Sequence, residues 1–133
     1  MPTASAAKVG TLRFAHPTRS TVEGTIAFYE KAFGLKRDMV VEGEFGQLGT
    51  GATKLGFAAK RMLPVPALHS TPSDKPLALE IALVTDDVQA AFDKAVAAGA
   101  ESVSKPAQKP WNQIVAYVRD NNGYLVELCT PVG

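Results

Sequence analysis

Cysteine occurs once in this 133-residue chain, at Cys129, so no disulfide can close within it. Histidine is nearly as scarce, with only His16 and His69. A zinc, nickel or iron centre, which normally recruits imidazole or thiolate, would have few donors to draw on. No uninterrupted apolar run approaches the ~18 residues of a membrane-spanning helix. An excess of one charge is missing too: 14 Lys and Arg stand against 13 Asp and Glu, interspersed, for a formal net charge of +1. The basic footprint of a nucleic-acid or anionic-membrane binder is therefore absent. The opening residues MPTASAAKVG carry neither the basic region nor the long apolar stretch of a secretory leader, and with the lone cysteine this sets a cytoplasmic expectation. What remains, 46% hydrophobic and 20% charged, is the composition of an ordinary globular domain.

What the chain does have is an internal repeat. A strand-then-helix pattern at Val9 to Gly34 recurs at Leu79 to Gly99, and aligning IAFYEKAFG (Ile26 to Gly34) with QAAFDKAVAAG (Gln89 to Gly99) sets Phe28 against Phe92 and Gly34 against Gly99. Two small modules sharing one core are expected. Ser20-Thr21-Val22-Glu23 reads as a capping box that opens the first helix at Ser20 or Thr21; Val22, Ile26, Tyr29 and Phe33 form its apolar stripe and Gly34 stops it. In the second copy Asp86 is expected to cap, with Gln89 three residues on, Val88, Phe92 and Ala95 as the stripe and Gly99 as the stop. Strands are expected near 9–15, 37–42, 45–49, 53–59, 78–85, 101–104, 112–119 and 123–129, with Asp120-Asn121-Asn122-Gly123 as a hairpin turn. The stretch Lys60 to Pro76, punctuated by Pro64, Pro66, Pro72 and Pro76, suits no regular element. Its Met62, Leu63, Val65 and Leu68 should cover a cleft, a partner subunit or their own domain. One domain over residues 1–133 follows, with module one at about 8–60, a linker at 60–77 and module two at about 78–131.

Alternation along a strand sorts these segments into two faces. One carries Leu12, Phe14, Leu55, Phe57, Leu79, Ile81, Leu83, Val126 and Leu128, suited to packing under the helices. The other carries Thr11, Arg13, Gly56, Ala58, Ala78, Glu80, Ala82, Glu127 and Cys129. Small residues around isolated charges describe a concave surface with spare volume, so this second face is expected to line a cavity.

The closing segment AYVRDNNGYLVELCTPV (Ala116 to Val132), with FYEKAFGL (Phe28 to Leu35) and EIALVTDDVQAAFDKAVAAGA (Glu80 to Ala100), resembles the glyoxalase, bleomycin-resistance and extradiol-dioxygenase superfamily, the vicinal oxygen chelate proteins. The resemblance implies an α+β fold of two β-α-β-β-β modules forming an open half-barrel sheet around a cleft, commonly in a homodimer. In metal-dependent members, one residue from the first and one from the last strand of each module hold a divalent metal. Those positions fall here on Thr11, Gly56, Glu80 and Glu127, of which only Glu127 keeps the usual ligand type. No resident metal or other cofactor is therefore expected, and Glu127 and Glu80 are the ligands if a divalent metal is recruited. His16, by alternation, falls on the helix side.

The residues leave several roles open. Glu80 and Glu127 can contact a ligand, can act as catalytic base without metal, or can form an internal ion pair with Arg13. Cys129 reads either as a small buried apolar group or as a nucleophile or ligand. Trp111 and Gln113 can stack on and hydrogen-bond to a planar molecule, or pack a turn or dimer contact. His69 is a solvated linker histidine unless it reaches the cleft. The leading expectation is a protein that binds a small organic molecule through Thr11, Arg13, Gly56, Ala58, Glu80, Trp111, Gln113, Glu127 and Cys129. The alternative is a glyoxalase-like lyase or isomerase using a divalent metal or a glutamate base. Neither nucleic acid nor membrane is an expected partner.

Overall fold

The computed structural model describes residues 11–14 as backbone, and residues 21–51, 53–59 and 80–131 with their side chains. The expectations for the 60–77 linker, His69, His16, Ala78, Leu79 and the side chains of Thr11, Leu12, Arg13 and Phe14 lie outside the described residues. Ten elements follow one another: β1 (Thr11–Phe14), α1 (Val22–Phe33), β2 (Lys36–Val41), β3 (Phe45–Gly49), β4 (Lys54–Ala58), β5 (Glu80–Val84), α2 (Val88–Ala97), β6 (Glu101–Lys109), β7 (Gln113–Arg119) and β8 (Leu125–Cys129).

The strands form two open four-stranded sheets of the same order, β1-β4-β3-β2 and β5-β8-β7-β6. In each, the first and last strands of the module pair parallel and the other neighbours antiparallel. The repeat in the sequence is thus a repeat of topology. Its helical alignment needs correction: the caps are Thr21, whose hydroxyl accepts from Gly24 N, and Asp87, whose carboxylate accepts from Ala90 N. Thr21 is one of the two starts expected for α1, whereas in α2 the cap is Asp87 and not the expected Asp86. Glu23, the supposed far end of a capping box, instead accepts from Gly43 N in the β2–β3 turn. Counted from the caps, the buried positions correspond as Val22 with Val88, Ile26 with Phe92 and Tyr29 with Ala95. Phe28 is not the counterpart of Phe92. It sits half-buried between the modules, touching both core clusters, as Phe33 and Ile81 do.

Gly34 ends α1 in the left-handed region at φ 70°, its N–H donating to the Glu30 carbonyl. A Cβ there would stand 3.1 Å from the Lys94 ammonium of α2, which can move aside, so the cost of Gly34→Ala is chiefly backbone strain. A loss of about 1–2 kcal/mol in urea denaturation is expected, with Gly34→Asn losing less because asparagine tolerates this region.

The hairpin turn expected at Asp120-Asn121-Asn122-Gly123 joins β7 to β8, with a burial that its polar composition did not signal. Asp120, Asn122 and Tyr124 are all buried, at 5%, 4% and 5% exposure, and Tyr124 belongs to the module-one core. The connection is a plug inserted beside α1 rather than a solvent-facing turn. Tyr29 donates to Asp120 Oδ2 at 2.6 Å, and Asn122 Nδ2 donates to Thr25 Oγ1 at 2.8 Å. Through these bonds and the shared aromatic packing, the two modules are held together on the helix side.

Candidate functional site

Ile81, Leu83, Val126 and Leu128 pack into the core under α2. Alternation therefore leaves Glu80, Ala82 and Val84 of β5, and Glu127 and Cys129 of β8, on the face away from the helices. β7 adds Tyr117, which pairs directly with Glu127 in the antiparallel ladder. Tyr117 was not among the residues singled out from the sequence. The signal was present, since Ala116 and Val118 flank it as core residues, but only the register ties it to Glu127.

Glu80 is exposed and Glu127 half-buried. Burial, then hydrogen bonding and repulsion from Glu80, push the Glu127 carboxyl above the ordinary glutamate range. Burial and then Glu127, Glu80 and Cys129 raise the Tyr117 phenol. The Cys129 thiol is raised by burial and by both carboxylates. A thiol kept neutral at pH 7 is a weak nucleophile. Cys129, buried with its Sγ 3.9 Å from the Leu83 carbonyl oxygen, acts as a small wall.

Linkage fixes the sign of the Glu127 effect. A raised folded-state pKa means that the folded protein holds the proton more tightly than the unfolded chain does. The associated stability is complete below the ordinary glutamate pKa and is lost as pH rises through the folded value. Glu127→Gln is expected to be at least as stable as wild type near pH 7, and to flatten the fall in urea midpoint above about pH 4. A lower midpoint for the variant at pH 7 would instead identify a cationic partner for the carboxylate.

Module one offers different chemistry at the matching row. Register aligns Arg13, Gly56 and Gln47 there, as it aligns Ala82, Glu127 and Tyr117 in module two. Gly56 has no side chain to offer, and Ala58, two residues on, is buried. Gln47 donates to Asp38 Oδ2 at 2.7 Å, and Lys54 pairs with Asp38 Oδ1 at 2.8 Å. Lys54 first, then Gln47, holds the Asp38 carboxyl below its ordinary range.

Trp111 and Gln113 stand apart from the carboxylates. Trp111 Nε1 donates to Gln113 Oε1 at 2.7 Å, and Gln113 Nε2 donates to the Thr130 carbonyl at 2.8 Å. Gln113, buried, is thus engaged at both ends of its amide. Trp111 keeps an exposed ring, 58% accessible, in the β6–β7 turn. Tyr117 lies four positions beyond Gln113 on β7, about 13 Å along an extended strand.

The sequence model of the Glyoxalase/Bleomycin resistance protein/Dioxygenase superfamily matches residues 15–128. The chain belongs to this superfamily. Solved structures agree on the fold. A glyoxalase-related enzyme from Fulvimarina pelagi superposes with a TM-score of 0.77 at 18% identity, over 96% of this chain and 94% of the other. A glyoxalase/bleomycin resistance protein/dioxygenase family enzyme from Burkholderia phytofirmans PsJN gives 0.75 at 23% identity, over 93% and 98%. TioX from Micromonospora sp. ML1 gives 0.72 at 18%, over 93% and 98%. No curated protein matches the chain.

Members of the superfamily often hold a divalent metal, and the donors present here can be tested for it. Of the four ligand positions, Gly56 supplies no side chain, while Glu80 and Glu127 supply only carboxylate oxygens. Among the described residues no group of three His, Cys, Asp or Glu side chains is placed to hold a metal ion. These donors alone do not make up such a site, and no step below is routed through a metal.

Proposed function

We propose that the chain is a small-molecule-binding member of its superfamily, and that the face carrying Glu80, Glu127, Tyr117 and Cys129 receives the ligand. The observation that carries this reading is the Glu127 carboxyl, raised by burial and by Glu80 on a face no helix covers. Carboxylate oxygens accept hydrogen bonds, and a protonated Glu127 would also donate one, which suits an organic cation or a polar ligand with amine or hydroxyl groups. Thr11, Arg13, Gly56 and Ala58 would line the module-one side, and Trp111 would meet the far end of an extended, planar ligand.

The same raised carboxyl favours a second reading: Glu127 as a metal-free general base, with Glu80 keeping its proton affinity high. It would then remove a proton from a carbon acid, as a lyase or isomerase requires. We further propose one domain from the two modules, a homodimer and a cytoplasmic location. Val84, 64% exposed on the candidate face of edge strand β5, and Met39 and Val41, exposed on edge strand β2, are apolar groups that a second subunit would cover.

A thermal-shift screen of amines, polyols and carboxylates, with and without divalent metals, tests the binding reading. Selective stabilisation by a cationic or hydroxylated compound, lost in Glu127→Gln, is the expected result. Stabilisation that requires metal and survives Glu127→Gln would sink it. Turnover of a carbon acid with a pH profile that vanishes in Glu127→Gln selects the second reading.

A further inference from the structure

A cavity of about 900 Å³ lies between the modules, away from the carboxylate cluster: none of Glu80, Tyr117, Glu127 or Cys129 lines it. Its size is at the upper end of the roughly 300–1,000 Å³ typical of small-molecule sites. One wall is the C-terminal end of α1 and the residues that follow it, with Phe33 and Leu35, and the start of β4, with Leu55; the other is β5, with Ile81 and Leu83. An apolar body would fit between them.

Two features give the space a polar requirement. β5 is an edge strand, pairing only with β8 among the described strands. Thr85 N–H donates to the Cys129 carbonyl, so by the alternation of a parallel ladder the main-chain groups of Ala82 and Val84 point away from β8. Both residues line the cavity. A purely hydrocarbon occupant would leave those groups unpaired, at a cost that favours an amphipathic one.

The second feature is charge. Lys54, Lys94 and Asp87 border the cavity. Lys54 is paired with Asp38, and Asp87 is turned onto the first turn of α2 as its cap. Lys94 has no salt-bridge partner among the described residues. Its ammonium lies over Gly34, where the missing side chain leaves it room. The cation left without a carboxylate thus stands at the rim of an apolar space with a polar edge.

We propose that this cavity is a second binding site, taking a small carboxylate with an apolar body, whose carboxylate pairs with Lys94. The site shares Ala82 and Val84 of β5 with the carboxylate face but none of its ionisable groups, and it does not rest on the function proposed above. Titration calorimetry at low salt with octanoate and its neutral analogue octanamide tests it. Wild type is expected to bind octanoate about tenfold more tightly than octanamide, as one exposed-to-half-buried ion pair would give. Lys94→Met, on the exposed face of α2, should abolish that preference while leaving the melting curve intact. Ala91→Phe, which projects into the cavity, should weaken both ligands, and Glu127→Gln should change neither. Equal affinities, no binding at millimolar concentration, or a preference that survives Lys94→Met would overturn the proposal. Loss of octanoate binding in Glu127→Gln would also overturn it, by moving the ligand to the other face.

Discussion

Asp120→Ala is expected to cost about 3–5 kcal/mol of folding stability, enough to leave a small domain marginal. The residue is the hub of the plug between the modules. Its Oδ2 accepts from the Tyr29 hydroxyl at 2.6 Å, and its Oδ1 accepts from Asn122 N and Tyr124 N, both at 2.8 Å. Alanine would strand three donors in a region from which water is excluded, and each stranded buried donor costs about 1–3 kcal/mol. Burial pushes the Asp120 carboxyl above the ordinary aspartate range even though its hydrogen bonds pull the other way. The folded state therefore tolerates a neutral group here. Asp120→Asn should lose much less than the alanine variant, about 1–2 kcal/mol, since its amide oxygen can keep both backbone donors. Urea midpoints of the two variants at pH 7 decide the point. If alanine and asparagine prove equally mild, the plug is a surface turn after all.

Gly46→Ala should cost about 2–3 kcal/mol, unusual for a one-methyl change in a strand. A Cβ built on Gly46 falls 2.5 Å from Ile26 Cγ1, 2.8 Å from its Cδ1 and 3.1 Å from Val22 Cγ1. Ile26 is fully buried and β-branched, so in a helix it has essentially one χ1 rotamer and cannot swing away. The glycine is what lets α1 lie this close on β3. Combined with Ile26→Ala, which opens the space the new methyl needs, the double variant should lose clearly less than the sum of the two single changes. Strict additivity would mean that α1 and β3 are not in this contact.

Several elements show why some of this was readable along the chain and some was not. The face assignment of β8 was legible because Val126 and Leu128 alternate with Glu127 and Cys129, and strand parity needs no partner to be known. The cap of α2 was misplaced by one residue, Asp86 for Asp87, and that of α1 was left open between Ser20 and Thr21. Ser, Thr and Asp all cap well, so Ser20-Thr21 and Asp86-Asp87 offer two candidates apiece, and the geometry of the incoming strand chooses between them. β6 runs nine residues, Glu101–Lys109, where four were expected. Its Ser-rich stretch with Pro106 has poor strand propensity, yet pairing with β7 along one side extends it, and a proline is tolerated on an edge.

By itself the sequence determined the two-module repeat, the apolar side of each sheet and the family, because these are written in local periodicity and in short motifs. Only the tertiary structure decided three other matters: that Tyr29 and Asp120, 91 residues apart, are hydrogen-bonded in a buried network, that Tyr117 stands beside Glu127, and that an apolar cavity lies between the modules with Lys94 at its rim. The physical reason is common to all three. Each depends on the register of a ladder or on the distance between modules, and those are set by packing across the whole core rather than by the order of residues in any one segment.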